Sequence, residues 1–170
     1  MRNSFKTILL TFLAFTTALA FAQGDKKPTS PPAKAEGKAG AATITIDYHQ
    51  PSARGRKIMG GLVPYGEVWR TGANKTTTIT VSAPVKIEGA DLAAGTYGFF
   101  TIPGESEWTI IVNKGIEWGA YTYKPADDVL RVKVKPTKTD AFVETFNISV
   151  VNGQVILKWE NTQVAFNVKG

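Results

Sequence analysis

"FVETFNISVVNGQVILKWE", residues 142–160, reads as two extended segments joined by a tight turn. Its first half sets Phe142, Phe146, Ile148 and Val150 on one side of an extended chain, because successive strand residues face opposite ways. Asn152-Gly153 then offers the two positive φ angles of a tight hairpin turn, and "QVILKWE" runs back. The same period of two recurs on either side of this stretch. "VAFNV" ends the chain with Val164, Phe166 and Val168 in step. "LRVKVK" alternates Leu130, Val132 and Val134 against Arg131, Lys133 and Lys135, a half-exposed strand. "YGFFTI" and "EWTIIVN" are nearly continuous apolar runs, as strands covered on both faces require. "TTTITVS" alternates Ile79 and Val81 with threonines, and "ATITIDY" puts Ile44, Ile46 and Tyr48 opposite Thr43, Thr45 and Asp47.

About eight or nine short strands with regular turn signals, and no window of helical period, predict an all-β domain. The expected architecture is a single antiparallel β-sandwich, jelly-roll-like, with a closed β-barrel as the alternative. Tyr97, Trp108 and Trp159 fall on strands and read as scaffold. Trp118, Tyr121 and Tyr123 share a loop, where they form either a stacking platform for a sugar or folded-over packing.

The front of the chain reads differently. "MRNSFK" carries Arg2 and Lys6 and no acid, "TILLTFLAF" is a short apolar core, and Ala20-Phe21-Ala22 has small residues where a signal peptidase reads. This pattern predicts an exported protein, periplasmic or secreted, with a signal peptide over 1–22 and cleavage before Gln23. The apolar run falls short of the ~20 residues of a bilayer-spanning helix, so no transmembrane segment is expected in the mature chain. Residues 23–41, rich in Pro, Ala, Lys and Gly, read as a disordered spacer, and residues 42–170 as the sandwich.

Composition narrows the chemistry. The chain has no cysteine, which excludes disulfides, thiolate metal sites and a Cys nucleophile. The net charge of +6 belongs largely to the ends, since residues 42–170 hold 14 basic against 12 acidic side chains. A nucleic-acid partner, which wants a basic face on the domain, is therefore not expected. One histidine cannot supply a metal site: His49 and Asp47 share a strand face, but two ligands are too few. Ser52, His49 and Asp47 are too close in sequence to reach triad geometry, and no phosphate-binding fingerprint is present. No residue is assigned a catalytic role, and neither a metal nor another cofactor is implied.

What remains is "HQPSARGRKIMGGLVPYGEVWRTGANK", residues 49–75, a long connection of a kind that is usually functional or a packed loop. The domain has four arginines, and Arg54, Arg56 and Arg70 lie here. Arg offers a flat fork of donors that suits carboxylate and phosphate. Asp47, Ser52, Arg54, Arg56, Tyr65, Arg70 and Asn74 are the candidate ligand-binding residues, for a small anionic or carbohydrate ligand. A purely architectural loop is the bland reading; in either case the 47–74 segment is expected to wrap one end or face of the sandwich with Trp69 inward and Arg70 outward. An alternative is a hydrolase or lyase in which Arg70 stabilises charge and Asp47 acts as acid or base.

The blocks "DYHQPSARGR", "GGLVPYGEVWRTGAN" and "AGTY" resemble a family of exported bacterial proteins known only as a domain of unknown function. The pattern falls on Asp47, Tyr48, Pro51, Ser52, Gly55, Arg56, Trp69, Arg70, Gly72 and Asn74, and the resemblance runs from Ile44 to Val168. It implies an exported, mostly β domain with no assigned activity. His49 stands where the pattern is variable, which argues against a His-dependent mechanism.

Overall fold

A computed structural model describes residues 29–117 and 123–170. Its strands are β1 (Pro32–Ala39), β2 (Ala42–His49), β3 (Thr78–Val81), β4 (Val85–Ile87) and β5 (Ala90–Leu92), followed by β6 (Gly95–Ile102), β7 (Trp108–Asn113), β8 (Asp128–Val134), β9 (Thr137–Val151) and β10 (Gln154–Lys169). One turn of 3-10 helix at Pro125–Asp127 precedes β8, and no α-helix occurs among the described residues. Residues 1–22, expected to form a signal peptide, and residues 23–28 of the expected spacer lie outside the described residues, as do Trp118 and Tyr121.

Two antiparallel sheets result, ordered β1-β2-β3-β6-β7-β8 and β5-β4-β10-β9. Both keep open edges, so the fold is a sandwich and the closed-barrel alternative is excluded. The inward residues of one sheet, including Ile44, Ile46, Ile79, Phe99, Ile110 and Val112, are buried together with Ile87, Phe146, Val155, Leu157 and Phe166 of the other. Each such side chain contributes about 1.5–3 kcal/mol when fully buried. Phe99 meets Phe166 at 5.8 Å between ring centroids, joining the layers. Tyr48 crosses the same gap polar end first: its hydroxyl accepts from the Ile148 amide at 3.0 Å.

The opening hairpin forms as its sequence demands, with φ of 49° at Asn152 and 76° at Gly153. The two runs expected after it prove to be the single strand β10. Buried residues fall at odd positions through Trp159 and at even positions from Val164, and Glu160, with φ of 55°, marks the change of phase. Opposite this point β9 bulges: Asn147, Val143 and Lys138 face Lys158, Glu160 and Thr162, so β9 spends more residues over the same length. Phe142 is thrown out of the buried row and is 54% exposed, against its expected place beside Phe146.

The spacer reading fails at β1. Residues 32–39 pair with β2 from Pro32↔His49 to Ala39↔Ala42. Ala35 and Ala39 are buried, while Lys34, Glu36 and Lys38 face solvent. The strand is built of small residues because it lies hard against β9. A Cβ on Gly37 would stand 2.7 Å from both Val150 Cγ1 and the Val150 carbonyl oxygen. Absence of bulky residues, read as absence of structure, is here the condition of close packing. Pro32 and the outward lysines also suit an edge strand, which must resist further pairing.

Candidate functional site

The 28-residue connection between β2 and β3, residues 50–77, bridges the two sheets. Its start adds to β9: Ser52 pairs with Thr145, the Ala53 amide donates to Glu144 O at 2.8 Å, and the Phe146 amide donates to Pro51 O at 2.9 Å. Its end adds to β6, where Trp69 and Thr101 exchange amide–carbonyl bonds of 2.7 and 2.9 Å. Between them the chain doubles back at 57–63, with Leu62 and Val63 amides donating to Lys57 and Ile58 carbonyls. Trp69 turns inward as expected, stacking on Trp159 at 5.8 Å and meeting Phe146 and Trp108 edge-on. Its indole N–H donates to Gly72 O at 3.1 Å.

Beside this aromatic cluster opens a cavity of about 330 Å³. Arg54, Arg56 and Arg70 line it, with Ser52, Asn74, Trp69 and Trp159. None of the lining residues is acidic. Each guanidinium is held by main-chain carbonyls instead. Arg56 donates through Nε to Ala53 O at 2.9 Å and through Nη2 to Ser52 O at 2.8 Å. Arg54 Nη2 donates to Thr29 O at 3.1 Å, and Arg70 Nη1 to Asn74 O at 2.9 Å. Among the described residues none of the three makes an ion pair. The remaining domain arginine behaves oppositely: Arg131 grips Asp128 at 2.6 Å and also donates to the Tyr123 hydroxyl. Carbonyls orient a cation without cancelling its charge, and the carboxylate next to the wall, Glu144, accepts from the Arg54 amide at 2.7 Å and not from its guanidinium.

The backbone around it is strained. Arg54, Thr71 and Asn74 have φ of 52°, 54° and 57°, half of the non-glycine residues with positive φ in the described chain. For Thr71, β-branched and fully buried, this conformation costs on the order of 1–3 kcal/mol. It is held there by its hydroxyl, 3.1 Å from that of Thr101, and by Thr77, which donates to its carbonyl at 2.9 Å. The kink swings Asn74 back to Arg70, whose guanidinium it then orients.

Five of the seven candidate residues thus share one cavity: Ser52, Arg54, Arg56, Arg70 and Asn74. Ser52 enters through its carbonyl, since its hydroxyl is 3.0 Å from that of Thr145. Asp47 and Tyr65 are elsewhere. Asp47 lies on the exposed face of β2, 3.7 Å from Lys34. Tyr65 is clamped over Gly60 beside a second cavity, with Met59, Trp108 and Lys138. His49 is held below its ordinary pKa, first by burial and then by the Lys75 cation. No group of three His, Asp or Glu among the described residues could hold a metal ion. Tyr97, as expected, packs as scaffold and donates to Ala93 O. Sequence reasoning missed Thr29 and Ser30, whose carbonyls accept from Arg54 and Asn74 to form one wall. It also took Trp159 as core alone, although the same ring floors the cavity.

No curated protein and no solved structure matches this chain. A family model does match, over residues 30–168, from the cavity wall at Ser30 into the last strand. The chain belongs to the family described as "Protein of unknown function (DUF2911)".

Proposed function

We propose that this protein is an exported binding protein that holds a small anionic ligand between Arg54, Arg56 and Arg70. The observation that carries the reading is the set of three guanidiniums lining one cavity with no acidic residue in its wall. Cations brought together in this way repel one another, and an anion relieves that repulsion. Charge-assisted hydrogen bonds from guanidinium to carboxylate or phosphate contribute about 1.5–3 kcal/mol each. The half-buried Trp69 ring, backed by Trp159, offers an apolar face for the ligand's body, which suits a sugar-sized anion. A volume of about 330 Å³ also favours a small ligand over a polymer.

The hydrolase or lyase alternative requires an acid–base group beside Arg70. Asp47 is not part of the cavity, and the wall supplies no other carboxylate or imidazole. Binding is therefore the reading the geometry supports better. Export rests on Arg2, Lys6, the apolar core and the small residues before Gln23.

Calorimetric titration of the mature protein with sulfate, sugar acids, sugar phosphates and neutral sugars tests the binding reading. Anions should bind, neutral sugars should bind more weakly, and Arg56→Gln and Arg70→Gln should each lose at least tenfold in affinity. Affinity unchanged in both variants would refute it. Fractionation with N-terminal sequencing tests export: the expected product begins at Gln23 outside the cytoplasm, and a cytoplasmic chain still beginning at Met1 would contradict it.

A further inference from the structure

We infer that the group bound by the three arginines is a phosphate monoester in its doubly charged form, carried on a small hydroxylated body; this rests on the anion-binding reading above. Charge balance comes first. One carboxylate satisfies one guanidinium fork, leaving two of the three cations without a counter-charge. A phosphate monoester brings nearly two charges and three acceptor oxygens in a single group.

Donor geometry gives the same answer. Arg56 is the arginine whose side-on fork is spent, because Nε and Nη2 both point to the carbonyls of 52 and 53. What it still offers is its end-on edge, one N–H from each of Nη1 and Nη2, held in a fixed orientation by these two carbonyls. Arg54 is fixed through Nη2 to the Thr29 side, and Arg70 through Nη1 to the Asn74 side. Donors fixed from three separate anchors suit a tetrahedral group better than a planar one. Each anchor is a main-chain carbonyl, so the forks are aimed before any ligand arrives. The remaining wall, with Pro51, Leu62, Val63 and Trp69, leaves room for an uncharged body.

The test uses the ligand's own proton. Apart from the arginines, the cavity wall carries no titratable side chain. Glu144 on β9, Glu160 on β10, His49 at the end of β2, and Lys57 and Lys75 of the connection are the other ionisable side chains near the wall. A phosphate monoester loses its second proton near pH 6, whereas sulfate is a dianion throughout this range. The mature protein is titrated at pH 5.0 and 7.5 with glucose 6-phosphate, sulfate, glucuronate and glucose. Glucose 6-phosphate should bind about tenfold more tightly at the higher pH, as the dianion fraction rises. Sulfate should change little, which accounts for the protein's own titration, and glucuronate should bind at least tenfold more weakly than the phosphate at pH 7.5. Glucuronate equal to glucose 6-phosphate, or a phosphate affinity that follows sulfate across pH, overturns the phosphate inference and leaves the anion reading standing. No binding of any of the three anions, or glucose as tight as glucose 6-phosphate, overturns both.

Discussion

Replacing Arg70 by alanine separates a ligand-binding arginine from a structural pin. In the free protein the Arg70 guanidinium makes one hydrogen bond, to Asn74 O, and no ion pair among the described residues. Asn74 is exposed, so water can replace the lost donor. Removing one such bond costs about 1 kcal/mol, and losing a cation near Arg54 and Arg56 offsets part of it. A domain of this size shifts by roughly 3–5 °C per kcal/mol, so the expected fall in Tm is at most about 5 °C. Arg131→Ala is the contrast. It strips the ion pair from Asp128, whose side chain is 10% exposed, and a donor from Tyr123, and should cost about 2–3 kcal/mol. The assay is thermal unfolding by circular dichroism, paired with calorimetric titration. Arg70→Ala destabilised by 3 kcal/mol or more, the cost of leaving a buried partner unpaired, would refute the reasoning and make Arg70 a pin.

Trp69→Ala should cost about 2–4 kcal/mol in chemical denaturation, somewhat below the value for a fully buried ring; a loss under 1 kcal/mol would contradict its place against Trp159 and Phe146. Gly37→Val should lower Tm sharply and expose β1 and β2 amides to exchange, because its Cβ meets the Val150 backbone; an unchanged protection pattern would disprove the docked strand. His49 is lowered in pKa by folding, so the unfolded chain binds the extra proton. Its contribution is therefore present above about pH 6.5 and lost as pH falls through the folded value. His49→Gln should flatten the drop in Tm between pH 7 and 5, and an unaltered slope would contradict the shift.

Side-chain alternation made most strands legible, because one buried face forces a period of two on residues such as Ile44, Ile46 and Tyr48. It failed where that link is broken. β1 buries Ala in place of large apolar residues, so its hydrophobic signal is silent, while β4 and β5, three residues each, are too short for an alternation such as Val85-Lys86-Ile87 to stand out. Phe142 was misplaced because the β9 bulge depends on its partner strand, which local pattern does not encode. At the site, the clustering of arginines in one loop was visible, since neighbours in a short connection stay near one another. Asp47 was grouped with them by proximity in sequence, although it alternates outward from Ile46 and Tyr48. Thr29 and Ser30 join only through the fold, brought to the cavity by the pairing of β1 with β2.

The most direct test of an anion held by Arg54, Arg56 and Arg70 is nitrogen-15 NMR of the arginine Nε–H signals during titration with sulfate. The account predicts saturable shifts for these three, while Arg131, already neutralised by Asp128, stays fixed. Four signals moving together without saturation, or none moving at all, would contradict it.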